Sequence, residues 1–285
     1  MIERDYMICF RERIMSNKKI SITPLNIYML IIIVLITTII ILPIPVKILD
    51  VLMAMNLALA LSILLLVILK KNKRGIILLP TITLISTLFS LAVNICATRL
   101  ILLTGAEFNG ILIRFVTNIM SGYGRFSWPI SFILFAAIYS CHIFITSKGI
   151  VRVTGAAVKF ALDNMPGRLM EIDKSFSSGA ISREEAGAGK MQITQEADFF
   201  GALDGGGKFI AGNAKMGIII TAVIIIGGTM TDHMLRGYTI KNALETYAFL
   251  AIGCGILSIV PVFLVSLAVG IAAAGGGRRK EKTSN

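Results

Sequence analysis

From Thr246 to Ala274 the chain reads TYAFLAIGCGILSIVPVFLVSLAVGIAAA, 29 residues without one Asp, Glu, Lys or Arg. A helix of about 20 predominantly apolar residues crosses the hydrocarbon core of a bilayer. In that medium every backbone N–H and C=O must be satisfied within the chain, which leaves the helix as the natural form for an isolated apolar segment. The stretch therefore decides the class. Working outward, five more stretches qualify: 25–42, 48–69, 76–103, 128–146 and 214–230. The expectation is an all-α membrane protein with six transmembrane helices. Segments 76–103 and 246–274 exceed one span, and Pro80 and Pro261 are their candidate kinks. The shorter apolar run 111–120 carries Arg114 and reads as an interfacial or re-entrant piece.

Composition agrees. Of 285 residues, 55% are hydrophobic and 15% charged, against about 25% charged in soluble domains. Mean hydropathy is +0.82. These values exclude a purely soluble, disordered or collagen-like chain. The net charge of +12 does not call for a nucleic-acid partner, because basic residues in cytoplasmic loops fix membrane orientation. The tail with Arg4, Arg11, Arg13, Lys18 and Lys19, the loop Lys70-Lys71-Asn72-Lys73-Arg74 and the tail Arg278-Arg279-Lys280-Glu281-Lys282 hold thirteen basic residues. The alternate side holds six: Lys47, Arg99, Arg114, Arg125, Arg236 and Lys241. The bias predicts both termini in the cytoplasm. The polar leading segment shows no cleavage site beside an apolar core and is expected to remain as a tail. Cys9, Cys96, Cys141 and Cys254 are too far apart for a CxxC pair or a zinc ligand set and read as small buried hydrophobes.

Residues 148–213 are different. This segment holds eight acidic and eight basic side chains, half of all the acids. It predicts a small helical cytoplasmic domain between spans four and five. Its first helix is expected from Ile150 to about Met165, with Arg152, Lys159 and Asp163 on one stripe and Ile150, Val153, Ala157 and Phe160 on another. Pro166-Gly167 is expected to end it. Ser182-Arg183-Glu184-Glu185 is a capping box that opens a second helix toward Phe200, and Gly205-Gly206-Gly207 is expected to break that helix. The organisation read from the chain is a tail 1–24, four spans within 25–147, the loop domain 148–213, two spans within 214–274 and a basic tail 275–285.

No enzyme is indicated. Asp173, Ser175, Ser177 and Glu184 superficially resemble a calcium loop, but the glycine falls one place late, at Gly179. The triple glycine lacks the strand and the Gly-Lys-Ser/Thr of a phosphate loop. His142 and His233 read as packing or surface residues. No metal and no cofactor are expected. Within the spans, Asn56 and Asn94 are expected to hydrogen-bond between helices, and Ala54/Ala58/Ser62, Ala251/Gly255 and Gly270/Ala274 form small-residue stripes suited to close packing. Asp50 and Arg99 sit at span mouths.

Several strings resemble the FHIPEP family, the large export-gate subunit of bacterial flagellar and virulence type III secretion. Leu42-Pro43, Leu49-Asp50 and Asn56 are similar to its first hairpin, and Ser90 to Leu103, around Asn94 and Thr98-Arg99-Leu100-Ile101-Leu102, to its third span. The most specific block is Lys148-Gly149, Arg152-Val153, Phe160-Ala161-Leu162-Asp163-Asn164-Met165-Pro166-Gly167, Met170 and Ile172-Asp173. It continues in Gln195-Glu196-Ala197-Asp198-Phe199-Phe200-Gly201-Ala202-Leu203-Asp204-Gly205 and Lys208-Phe209. Gly217-Ile218-Ile219-Ile220, Ile226-Gly227-Gly228 and Glu245-Thr246-Tyr247 also fit. Ser90 and Lys159 stand where the family pattern has arginines, and Asn213 and Cys254 where it has aspartates.

The resemblance implies the membrane half of an export gate in the bacterial inner membrane, passing unfolded secreted proteins with use of the proton motive force. It also implies a homo-oligomeric ring, other export-apparatus membrane subunits and exported proteins as partners. The candidate gate or ion-coupling residues are Asp204, Asp198, Arg152, Lys159, Asp163, Asp173 and Arg99. The alternative is an assembly subunit without ion coupling, favoured by the missing acids. A small-solute transporter is disfavoured, because spans one to three and four to six show no internal repeat.

Overall fold

A computed structural model describes residues 24–42, 44–69, 78–122 and 128–277. The basic segments behind the orientation argument, Arg125 and Cys9 lie outside the described residues. The chain divides into two units, one ending at Thr38 and one beginning at Ile39. The first holds most of helix α1 (Pro24–Ile41), in which the Thr37 and Thr38 hydroxyls donate to the carbonyls of Ile33 and Val34 at 2.9 and 2.8 Å.

The second unit holds α2 (Val46–Leu69), α3 (Leu79–Thr104), the short α4 (Ile111–Met120), α5 (Trp128–Ile143), α6 (Val151–Ser177), α7 (Arg183–Ala222), α8 (Gly228–Leu235) and α9 (Ile240–Gly277). Wider π-helical turns at Phe144–Ile150 and Val223–Gly227 join α5 to α6 and α7 to α8. The result is two long rods, Trp128–Ser177 and Arg183–Leu235. Among the described residues five helices, not six, are long and apolar enough to cross a membrane. The first stretch ranks with the shorter apolar helices as Leu30–Ile41.

Helix α9 is the surface on which the others are laid, touching α2, α3, α4, α5 and α7. Small residues permit this. A Cβ on Gly253 would run into the Ile113 carbonyl and Thr117 of α4, and one on Gly255 would enter the Phe135 ring of α5. Pro261 lies inside α9 without ending it. Pro80 sits in the first turn of α3, where its missing N–H costs nothing. The expected stripe Ala54/Ala58/Ser62 is exposed instead. The packed face of α2 is Leu49, Met53, Asn56, Ala60, Ile63 and Val67. Cys96 and Cys254 are buried as expected, whereas Cys141 is exposed.

Residues 148–213 form an antiparallel helical hairpin continuous with the bundle. Helix α6 runs through Pro166 rather than ending there. The proline is on the exposed side, so water can take the Leu162 carbonyl that it leaves without a donor. Helix α7 likewise runs through Gly205-Gly206-Gly207. A Cβ on Gly207 would press on the Thr154 side chain at 3.0 Å, and one on Gly206 would touch Thr83 at 3.4 Å. Tertiary contact thus offsets a helix cost of about 1 kcal/mol per glycine. The expected apolar stripe packs only in part: Ile150 is buried and Ala157 lies against the same core, whereas Val153 and Phe160 are exposed and Thr154 is buried in their place.

The hairpin tip forms as read. The Ser182 hydroxyl accepts from the Glu185 N–H at 3.2 Å, and the Glu185 carboxylate accepts from the Ser182 N–H at 2.8 Å. Gly179 ends α6 at φ +75°, with Ala180 N–H bonded to the Ser175 carbonyl and Gly179 N–H to that of Phe176.

Gly253→Ala is expected to destabilise the folded protein by about 1–3 kcal/mol, because the colliding atom is helix backbone. Thermal unfolding in detergent checks this; a midpoint equal to the parent's would show that α4 is free to retreat.

Candidate functional site

The hairpin joins the bundle where α6 and α7 come close over Thr154, Gly155, Asp204 and Gly207. Asp204 lies here with its side chain 15% exposed, and its Oδ2 pairs with Lys208 Nζ at 2.7 Å, one turn on. Its Oδ1 faces the Thr154 hydroxyl at 3.1 Å. That hydroxyl also lies 3.0 Å from the Ile150 carbonyl. It lies 3.4 Å from the Val151 carbonyl as well, so with one proton to give, its hydrogen bond to Asp204 competes with backbone acceptors. A carboxylate so placed is held but not saturated, at the mouth of an apolar bundle.

The other candidates do not gather around it. Asp198, Arg152, Lys159 and Asp163 are exposed. Among the described residues, Lys159 and Asp163 make no ion pair with each other. Asp173 instead crosses the hairpin to Lys190 Nζ at 2.5 Å, and Arg168 crosses to Glu196 at 2.8 Å. These pairs brace α6 against α7. Arg99 is exposed at the far end of α3 and donates to the Ile41 carbonyl at 2.7 Å. The seven candidates thus separate into a junction acid, a set of exposed or bracing hairpin charges, and a distant interfacial arginine.

Two contacts inside the bundle are made by neutral side chains. The Asn56 side-chain amide donates to Ser90 Oγ at 3.2 Å, and the Asn94 amide to Ser258 Oγ at 2.7 Å. Both are interhelical, as expected. Asp50 caps α4, its carboxylate accepting from the Ile111 and Leu112 N–H groups at 2.9 and 3.2 Å. His142 is buried, edge-on to Tyr139 and Phe263. His233 is exposed with Nδ1 2.9 Å from the Tyr238 carbonyl.

One cluster was not legible in the sequence. Asp232 is 1% exposed; its Oδ1 accepts from Arg236 at 2.5 Å and from the Tyr247 hydroxyl at 2.9 Å. Arg236 also donates to the Leu103 carbonyl at 2.6 Å. Gly105, at φ +58°, leaves the space that the Arg236 guanidinium fills. Asp232 and Arg236 are four apart, which was a readable sign, but the tyrosine and the glycine come from other helices. The cluster ties α3, α8 and α9 together at one end of the bundle, so it reads as a clasp.

Comparison with known proteins follows this geometry. The FHIPEP family profile matches residues 36–284. The flagellar biosynthesis protein FlhA of Borreliella burgdorferi is 39% identical over 206 residues, covering 72% of this chain and 30% of the relative. FlhA of Treponema pallidum is 41% identical over 192 residues, covering 67% and 27%. FlhA of Salmonella typhimurium is 35% identical over 195 residues, covering 67% and 28%. The chain therefore spans less than a third of the length of these relatives. No solved structure matches it.

Asp232→Ala is expected to cost about 1.5–3 kcal/mol, the worth of hydrogen bonds to a charged group. Tyr247→Phe, which removes one hydroxyl, should cost about 1 kcal/mol. Unfolding midpoints of the two variants in the same detergent check the order; the reverse order would show that the tyrosine, not the carboxylate, is the centre of the clasp.

Proposed function

Because this chain belongs to the FHIPEP family, we propose that it is a membrane component of a bacterial type III export gate. In this reading it passes unfolded secreted proteins across the inner membrane with use of the proton motive force. The supporting observation is the continuity of the charged hairpin with the apolar bundle through two unbroken rods, with Asp204 at the junction. A change of charge at Asp204 acts where both rods enter the bundle, so it can move the hairpin relative to α3 and α9. The partners in this reading are further copies in a ring, other membrane subunits of the apparatus and the exported chains.

A second reading is an assembly subunit without ion coupling. It is favoured by the uncharged lining inside the bundle, where Ser90, Asn213 and Cys254 are all buried and neutral. Asp204→Asn separates the two. The i,i+4 pair with Lys208 is worth only about 0.3–0.5 kcal/mol, so the variant should accumulate normally. Export measured in cells that depend on this chain is expected to fall at least tenfold, a change of about 1.4 kcal/mol in an effective barrier. Normal export with Asp204→Asn would favour the assembly subunit.

The hairpin and both termini are placed in the cytoplasm in this reading, on the strength of the basic tails and loop. Five crossings alone would leave the two ends on opposite sides, so the leading tail is the deciding point. Reporter fusions at Gly179 and before Pro24 are both expected to read as cytoplasmic. A periplasmic signal at Gly179 would invert the threading, and one before Pro24 would restrict the cytoplasmic assignment to the C-terminal end.

A further inference from the structure

Helices α2, α3, α7 and α9 line a partly open pocket of about 10 Å³, whose lining includes Asn56, Ser86, Thr87, Ser90, Asn213 and Pro261. That is about the least space that holds one water molecule. Asn56 is 3% exposed and Asn213 8%. The Asn56 amide nitrogen donates to Ser90, and the atom left without a partner is its acceptor, Oδ1. Oδ1 meets no protein donor, and Asn213 Nδ2 meets no protein acceptor. One buried amide therefore offers an unused acceptor and the other an unused donor, and both line the same cavity. Leaving either unmade costs about 1–3 kcal/mol. A small molecule that donates to the first and accepts from the second relieves both at once.

Pro261 points the same way. It has no N–H, so the Leu257 carbonyl one turn back lacks its helical partner. Within a bilayer such freed carbonyls beside prolines are met by ordered water and by polar neighbours. The cavity lining carries no charged side chain, which suits a neutral ligand.

We propose that this cavity is a binding site for a single internal water, which donates to Asn56 Oδ1 and accepts from Asn213 Nδ2. The water links α2 to α7 through the bundle interior. It is the hydrogen-bond partner that allows two amides to stay buried beside a break in the α9 ladder.

Water-edited solid-state NMR on the full chain in lipid bilayers, with labelled asparagine, tests this. The Asn213 side-chain amide is expected to receive magnetisation from a water that exchanges more slowly than bulk. That transfer should be lost in Asn56→Leu. The thermal midpoint of the double variant Asn56→Leu/Asn213→Leu should fall by less than the sum of the two single losses, because both amides share one water. Absence of the transfer in the folded parent protein, or strictly additive losses, overturns the site. If a leucine variant does not fold, Ser90→Ala, which keeps both amides, should weaken the transfer; an undiminished transfer there also counts against the site.

Discussion

The approach of α4 and α5 to one turn of α9, at Gly253 and Gly255, is the contact on which the bundle depends. Lipid tails are as apolar as leucine, so burying apolar surface gives little drive between helices in a bilayer. Association rests on close van der Waals contact and on interhelical hydrogen bonds. Glycine supplies the first at Gly253 against the α4 backbone, at Gly255 against Phe135 and at Gly228 against Tyr247. Asparagine supplies the second, from Asn56 to Ser90 and from Asn94 to Ser258. Helix α9 carries members of both sets, which is why it touches most of the other helices.

The hairpin extends the same logic beyond the apolar region. Gly207 lets Thr154 come close, Gly189 would meet Ile172 if it carried a Cβ, and the Asp173–Lys190 and Arg168–Glu196 pairs brace the two arms. Pairs this exposed add little stability individually, but they fix which faces of α6 and α7 meet. The first arm joins the bundle through the π-helical turn Phe144–Ile150, whereas the second enters it as unbroken α-helix and reaches its π-helical turn only at Val223–Gly227. π-turns inside long helices are often found at functional positions. Here they lie where each rod changes from one segment to the next, with Asp204 and Thr154 on the hairpin side of the first.

The clasp at Asp232 holds the other end. Its acid is buried, with Oδ1 held by both Arg236 and Tyr247, whereas Asp204 is partly exposed and shares its Thr154 hydroxyl with a backbone carbonyl. The two acids therefore suit different work: the first fixes α3, α8 and α9, and the second can respond to a change of charge.

The sequence by itself determined the helical membrane class, the capping box at Ser182, the interhelical roles of Asn56 and Asn94 and, through its motif strings, the family. Each of these rests on local pattern: length of apolar run, three-residue spacing, or a polar amide among apolar neighbours. It misjudged Pro166 and Gly205–Gly206–Gly207, because breaker residues were weighed by their intrinsic cost. That cost is offset when the residue faces water, as Pro166 does, or gives room to a neighbouring helix, as Gly206 and Gly207 do. Of the apolar stripe Ile150, Val153, Ala157 and Phe160 only the first and third pack, since periodicity finds an apolar face but not the partner that covers it. The isolation of Asp204 from the other candidate charges, the Asp232–Arg236–Tyr247 clasp and the meeting of Asn56 with Asn213 at one cavity were decided by tertiary structure alone. Asn56 and Asn213, like Arg236 and the Leu103 carbonyl, lie more than a hundred positions apart, and only the packing of helices brings them to one place.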